Sequence, residues 1–256
     1  MKDFVYATAA VAQAEIRKLM RDPTELLSRA VQPVLWLAVF GQVFSKVRGI
    51  PTGNISYLDF MAPGILAQSI LFTAIFYGIA IIWERDLGII HKLLVTPASR
   101  TALVLGKAVA AGLKGLVQAI VVYLVAMALN VGIRWDFWGM VSVALAVFLG
   151  SCIFATFSLV IACVVKTRER FMGIGQVLTM PLFFASNAIY PIELMPGWLK
   201  VIAIVNPLTY LVDALRESMI VGGHGMYPLA MSFGVMSVVF LLLLVIASKL
   251  YPGLVR

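Results

Sequence analysis

From Phe60 to Trp83 the chain runs without a single charged side chain. At a rise of 1.5 Å per residue this stretch is roughly 36 Å long as a helix, enough to cross a hydrocarbon layer about 30 Å thick. Similar runs follow at about 101–129, 137–165 and 227–250. Only 12% of the residues are charged and 62% are hydrophobic, against about 25% charged in a soluble domain. A chain of 256 residues cannot hide that much apolar surface in its own core. The fold class expected is therefore all-α and integral to a membrane.

Two shorter segments complete a six-span reading. The first span, about 30–46, contains Gln32, Pro33 and Gln42; the fifth, 171–190, contains Gln176, Pro181, Ser186 and Asn187. A mid-span proline leaves a carbonyl that neighbouring groups must satisfy. The start of the chain does not read as a cleavable signal, because Glu15, Arg17, Lys18, Arg21, Asp22 and Glu25 interrupt it. Residues 4–29 instead begin as an amphipathic helix lying in the membrane surface. Ala12, Ile16, Leu19 and Met20 form one side and Arg17, Lys18 and Arg21 the other. Asp22-Pro23-Thr24-Glu25 then carries the signature of a new helix start.

Lys and Arg set the orientation. With both termini cytoplasmic, the inner side carries Lys2, Arg17, Lys18, Arg21, Arg29, Arg85, Lys92, Arg100, Lys107, Lys114, Lys166, Arg168, Arg170, Lys249 and Arg256. The outer side keeps Lys46, Arg48, Arg134, Lys200 and Arg216. The net charge of +8 thus follows from topology and lipid contact. No basic patch interleaved with aromatics suggests nucleic acid. Lys107 and Lys114, early in the third span, are expected to snorkel toward headgroups. Ser99 offers that span an N-cap.

Catalytic chemistry has little to work with. His91 and His224 are the two histidines, and no metal-ligand spacing or Walker phosphate loop is present. Cys152 and Cys163, some 16 Å apart along one helix, read as buried small apolar residues. Every Asp and Glu falls near a membrane boundary, unlike the mid-span acids of ion-coupled carriers.

One polar-flanked segment stands out. Glu84, Arg85 and Asp86 end the second span, and Leu87-Gly88 leads into a short helix. Ile89, Ile90, Leu93 and Leu94 form a stripe there, His91 and Lys92 lie among them, and Thr96-Pro97 stops the helix before Ser99-Arg100. Such a helix can seat its stripe in a partner's groove or simply rest it on lipid. After the fifth span, residues 191–222 are too polar to span. Asn206-Pro207 opens a helix with Leu208, Leu211, Val212, Leu215 and Met219 on one stripe and Asp213, Arg216 and Glu217 off it. It reads as an amphipathic surface helix ended by Gly222-Gly223.

The segment from Glu84 to Arg100 resembles the signature after the second span of type-2 ABC export permeases. A second match follows in the family's order: Tyr190-Pro191, Leu194-Met195-Pro196, Trp198-Leu199, Asn206-Pro207-Leu208-Thr209-Tyr210 and Asp213-Ala214-Leu215-Arg216. The likeness covers essentially the whole chain and is nearest to the daunorubicin-resistance permeases. It implies six transmembrane helices, an N-terminal interfacial helix, a cytoplasmic coupling helix over 84–95 and short extracellular re-entrant helices before the last span.

The resemblance further implies two such chains, usually a homodimer, on two separate ABC ATPase subunits in the cytoplasmic membrane. ATP and magnesium would bind those subunits and no cofactor this chain. In that picture Leu93 and Leu94 seat in the ATPase groove, and Glu84, Arg85, Asp86 and Arg100 fix the polar edges. The substrate path runs between chains, past Gln68, Phe72, Thr73, Phe76 and Tyr77 of the second span and Gln176, Thr179, Phe183, Phe184 and Asn187 of the fifth. Such a lining suits an amphipathic drug-like or lipid-like molecule. Lipo-oligosaccharide or polysaccharide export, an ion-coupled carrier and a membrane enzyme or assembly factor remain open alternatives.

Overall fold

A computed structural model describes residues 2–21, 31–45, 55–96, 98–165 and 167–255. The expected helix start at Asp22–Glu25, the cations Lys46 and Arg48, and Pro97 and Lys166 lie outside the described residues. Among the described residues ten α-helices follow in order: α1 Lys2–Arg21, α2 over 31–45, α3 Tyr57–Asp86, α4 Ile89–Val95, α5 Arg100–Ala128, α6 Phe137–Val164, α7 Arg168–Phe184, α8 Gly197–Val205, α9 Pro207–Met219 and α10 Leu229–Leu250. Trp36–Gly41 within α2 winds as a π-helix, and a 3-10 turn, Tyr251–Val255, extends α10.

Short polar residues stop the chain's apolar runs from merging. Ser56, Ser99, Asp136, Thr167 and Asn206 cap α3, α5, α6, α7 and α9, each accepting a backbone N–H of the first turn. Each such cap contributes about 1 kcal/mol. Ser99 and Asn206 do what the sequence predicts. Helices α3, α5, α6, and α10 together with its extension, are long and apolar enough to cross a membrane. Helices α8 and α9 together form a fifth crossing or a re-entrant pair bent by 78° at Asn206. The expected first and fifth spans are the shorter helices α2 and α7. The protein is an all-α integral membrane protein.

The central helix α6 packs against α3, α5, α9 and α10, and α1 lies along α5. Small residues allow the backbones to approach closely, the usual solution where lipid removes the hydrophobic drive between helices. Gly64 of α3 faces the turn after α7 so tightly that a β-carbon there would lie 2.1 Å from the Ala188 carbonyl oxygen. Ser158 of α6, fully buried, accepts from the Gly78 N–H at 3.1 Å and donates to the Ile75 carbonyl at 3.0 Å. Cys152 donates to the Ala108 carbonyl, so this cysteine packs α6 on α5.

The largest departure from expectation is α9. Instead of resting on a surface, it is enclosed on nearly every side, and Asp213 and Arg216 are buried with their apolar neighbours. Each polar group brings its own partners. Asp213 accepts from Asn187 Nδ2 at 2.5 Å and from the N–H groups of Met226 and Tyr227, both at 3.0 Å. Arg216 donates to the Asn187 carbonyl at 2.6 Å and lies over the Phe60 ring at 3.9 Å. Asn206 also donates to the carbonyls of Leu182 and Ala185 at the C-terminal end of α7. Tyr210 donates to the Ile204 carbonyl. Pro196 caps α8, and Trp198 on it is exposed.

A buried charge that loses its partner costs about 3–5 kcal/mol. Arg216→Met leaves Asp213 without its counter-charge and should lower the melting temperature in detergent by roughly 10 °C. An unchanged melt would show that this knot does not hold α9 in place.

Candidate coupling site

The segment between α3 and α5 turns back on itself through two special residues. Gly88 sits at φ +71°, and a β-carbon there would meet nothing within 4 Å. The requirement for glycine is therefore conformational: another residue would cost roughly 1–2 kcal/mol in the left-handed region. Beyond it, α4 makes two turns. Thr96 ends the helix by donating its hydroxyl to the Leu93 carbonyl at 2.6 Å, and Pro97 lies outside the described residues.

Three of the four stripe residues of α4 face inward, and Ile89 is exposed. Ile90 is fully buried, and Leu93 and Leu94 are half-buried against the core. They anchor α4 to its own bundle, where the sequence reading places Leu93 and Leu94 in a partner. The face left open is a different one: Leu87, His91, Lys92 and Val95, with Leu87 67% and Val95 87% exposed. Arg100 is also exposed at the start of α5.

The polar edge divides likewise. Glu84, expected at the docking rim, is turned into the protein. Its Oε2 lies 2.6 Å from Lys107 Nζ and its Oε1 2.5 Å from Lys18 Nζ. Glu15 closes the group, 3.1 Å from Lys107 and 3.2 Å from Lys18. Helices α1, α3 and α5 are thus joined through two carboxylates and two ammonium groups, with Lys107 only 2% exposed. The Lys107 side chain does not reach for headgroups, because its counter-ions come to it.

Arg85 and Asp86 form a second, more open link. Asp86 accepts from Arg85 at 3.1 Å and from Arg168 at 2.8 Å, and Arg168 stacks on Trp83 at 3.8 Å. The start of α7 is thereby held to the end of α3.

Lys114 also remains inside, its ammonium 5.1 Å from the centre of the Tyr77 ring. Tyr77, Lys114 and Ser151 line a cavity of about 10 Å³ between α3, α5 and α6. The spacing of Lys107, Lys114 and Gln118, seven and then four residues, puts all three on one side of α5, and all three are buried. That periodicity was the available signal for an inward polar face.

The pathway candidates split by helical phase. Phe76, Gln176 and Phe184 are exposed, and Phe72 and Thr73 are half-buried, Thr73 beside Tyr77 in the lining of the small internal cavity. Gln68, Tyr77, Thr179, Phe183 and Asn187 are buried within it. Thr179 donates to the Gly175 carbonyl of its own helix, and Phe183 packs edge-on against Trp36. Those five side chains pack inside the chain itself.

Burial would raise the Glu15 carboxyl, but Lys107 and Lys18 overcome it and hold the group down at about 2. A depressed carboxylate contributes stability above its unfolded value, which is lost as pH falls toward the folded value. The melting temperature should therefore hold down to about pH 4.5 and fall below it. In Lys107→Met the Glu15 carboxyl loses its main counter-charge and is depressed less, so the acid-side decline should be smaller; identical pH profiles would refute the pairing.

These features coincide with a family likeness. Residues 6–220 match the model of the ABC-2 type transporter. Over 201 residues the chain is 31% identical to the putative transport permease ycf38 of Cyanophora paradoxa, covering 78% of this chain and 69% of that protein. It is 27% identical over 209 residues to the daunorubicin resistance ABC transporter permease protein DrrB1 of Streptomyces coeruleorubidus, covering 77% and 69%. Nodulation protein J of Neorhizobium galegae is 23% identical over 214 residues, covering 83% and 79%. The matched region holds most of α1, the Glu84 cluster, α4 and the buried helix α9, and the chain belongs to the ABC-2 type transporter family.

Proposed function

We propose that this chain is the membrane-spanning permease subunit of an ABC exporter, with α4 as its coupling helix. Separate ATPase subunits grip the open face of α4 at Leu87, His91, Lys92 and Val95. ATP and magnesium bind on those subunits, and nucleotide-driven closure moves α4. Two chains, taken as identical, enclose the substrate path between their outward faces. Phe72 and Phe76 of α3 and Gln176 and Phe184 of α7 then meet the cargo. Aromatic rings with a few hydrogen-bonding groups suit an amphipathic drug-like or lipid-like molecule, and the drug-resistance name of one relative supports that class.

The observation that carries this reading is the exposure of Leu87, just before α4, and of Val95, at its end, beside a helix whose other side is fixed to the bundle. Among the described residues, nothing covers these apolar side chains beside the ends of two spans. Lys and Arg bias puts this end in the cytoplasm, where an ATPase has its substrate. Family membership favours ATP as the energy source over an ion gradient.

Leu87→Asp with Val95→Asp should abolish co-purification of the ATPase subunit while the permease still inserts and melts normally, both positions being exposed. Leu94→Asp should instead lower stability, because that side chain packs on the core. An ATPase that binds the double variant as well as the wild type would overturn the docking surface.

A further inference from the structure

On the opposite half of the bundle, α5 and α6 leave a groove of about 380 Å³ along the wall that lipid surrounds. Its floor is made by Ala119, Val143 and Val147, and its sides by Ile120, Leu124 and Met127, which remain 49–60% exposed. Small residues on the two helices create the concavity: Ala119 is buried at its floor and Ala144 exposed at its edge.

The groove has a length and a depth marker. From Leu116 to Met127 it extends about 16 Å along α5, close to half of a hydrocarbon layer about 30 Å thick. One end is closed by Trp135 meeting Tyr123 edge-on, ring centres 6.3 Å apart. Beside it stand the exposed rings of Phe137 and Trp138 and the ion pair of Arg134 with Asp136. Aromatic belts and exposed ion pairs mark the depth where hydrocarbon gives way to headgroups. The groove therefore runs from headgroup depth to mid-bilayer.

We propose that this groove holds one acyl chain of a membrane phospholipid, in the leaflet opposite the coupling helix. Apart from the polar tips of Tyr123 and Trp135 the lining is hydrocarbon. A polar drug-like molecule would leave its donors and acceptors unpaired there, whereas a lipid places its polar part beyond the aromatic end. Walls on three sides make the lipid slower to leave than one against a convex helix face. This inference stands independently of ATPase docking.

Native mass spectrometry of the detergent-solubilised protein under progressive delipidation tests it. Wild type should keep one phospholipid mass per chain after the remaining lipid has gone. Ala144→Phe, which fills the groove from an exposed position, should lose that adduct at least tenfold more readily. Leu145→Phe, exposed beside the groove but outside its lining, should keep it. As a second measurement, Trp135 in a variant with the other four tryptophans replaced by Phe should be quenched by brominated phosphatidylcholine. That quenching should persist after dilution into unbrominated vesicles. Failure of wild type to retain a phospholipid, equal retention by Ala144→Phe, or immediate recovery of Trp135 fluorescence would overturn the proposal.

Discussion

Lys107 is held between two carboxylates inside a body that lipid surrounds, and the organisation of one whole end of the molecule follows from it. An ammonium group removed from water carries a penalty of several kcal/mol unless its partners are close. Here the partners are drawn from two other helices, Glu15 of α1 and Glu84 of α3. Lys18 then balances the second negative charge. The interfacial helix cannot slide away from α3 or α5 without exposing a buried charge. The network therefore fixes α1, the base of α3 and the start of α5 as a single unit.

The other end is built on the same rule with different parts. Helix α9 is too polar to enter lipid alone, since Asp213 and Arg216 would each be unpaired there. It enters because the turn after α7 and the segment before α10 supply Asn187, two backbone N–H groups and a carbonyl. The break at Asn206, where one side chain caps α9 and reaches two carbonyls near the end of α7, lets the chain reverse inside the bundle. Polar residues thus stabilise the two ends of a protein whose middle is held by small-residue contacts such as Gly64 against Ala188.

Much of this was legible in the sequence, and the failures share one cause. Apolar run length gave α3, α5, α6 and α10, and the capping chemistry at Ser99 and Asn206 placed two helix starts. Periodicity identified which residues share a face of a helix, but not whether that face meets lipid, solvent or protein. The stripe of α9 and its charges were both real, yet both are buried, because the partners of Asp213 lie 26, 13 and 14 residues away in sequence. The stripe of α4 was also real, and all of it but Ile89 faces its own bundle. Lys107 was misread for the same reason: its counter-ions are 92 and 23 residues distant. One-dimensional pattern does not encode such pairings.

That inward stripe changes how a coupling helix on this protein can work. A helix held only by a partner would transmit a pull but not a push. Ile90, Leu93 and Leu94 secure α4 to the core on one side, while the proposed ATPase contacts occupy the other. Force applied at Leu87 and Val95 therefore reaches the bundle through packed side chains in either direction. The Gly88 joint, at φ +71°, is four residues beyond Glu84, so the ion network lies immediately behind it. On the proposed reading, displacement of α4 would act first on the base of α3, whose residues Phe72 and Phe76 border the proposed passage. Under the proposed docking, the buried charges that stabilise this end also keep α3 from bending independently of α1 and α5.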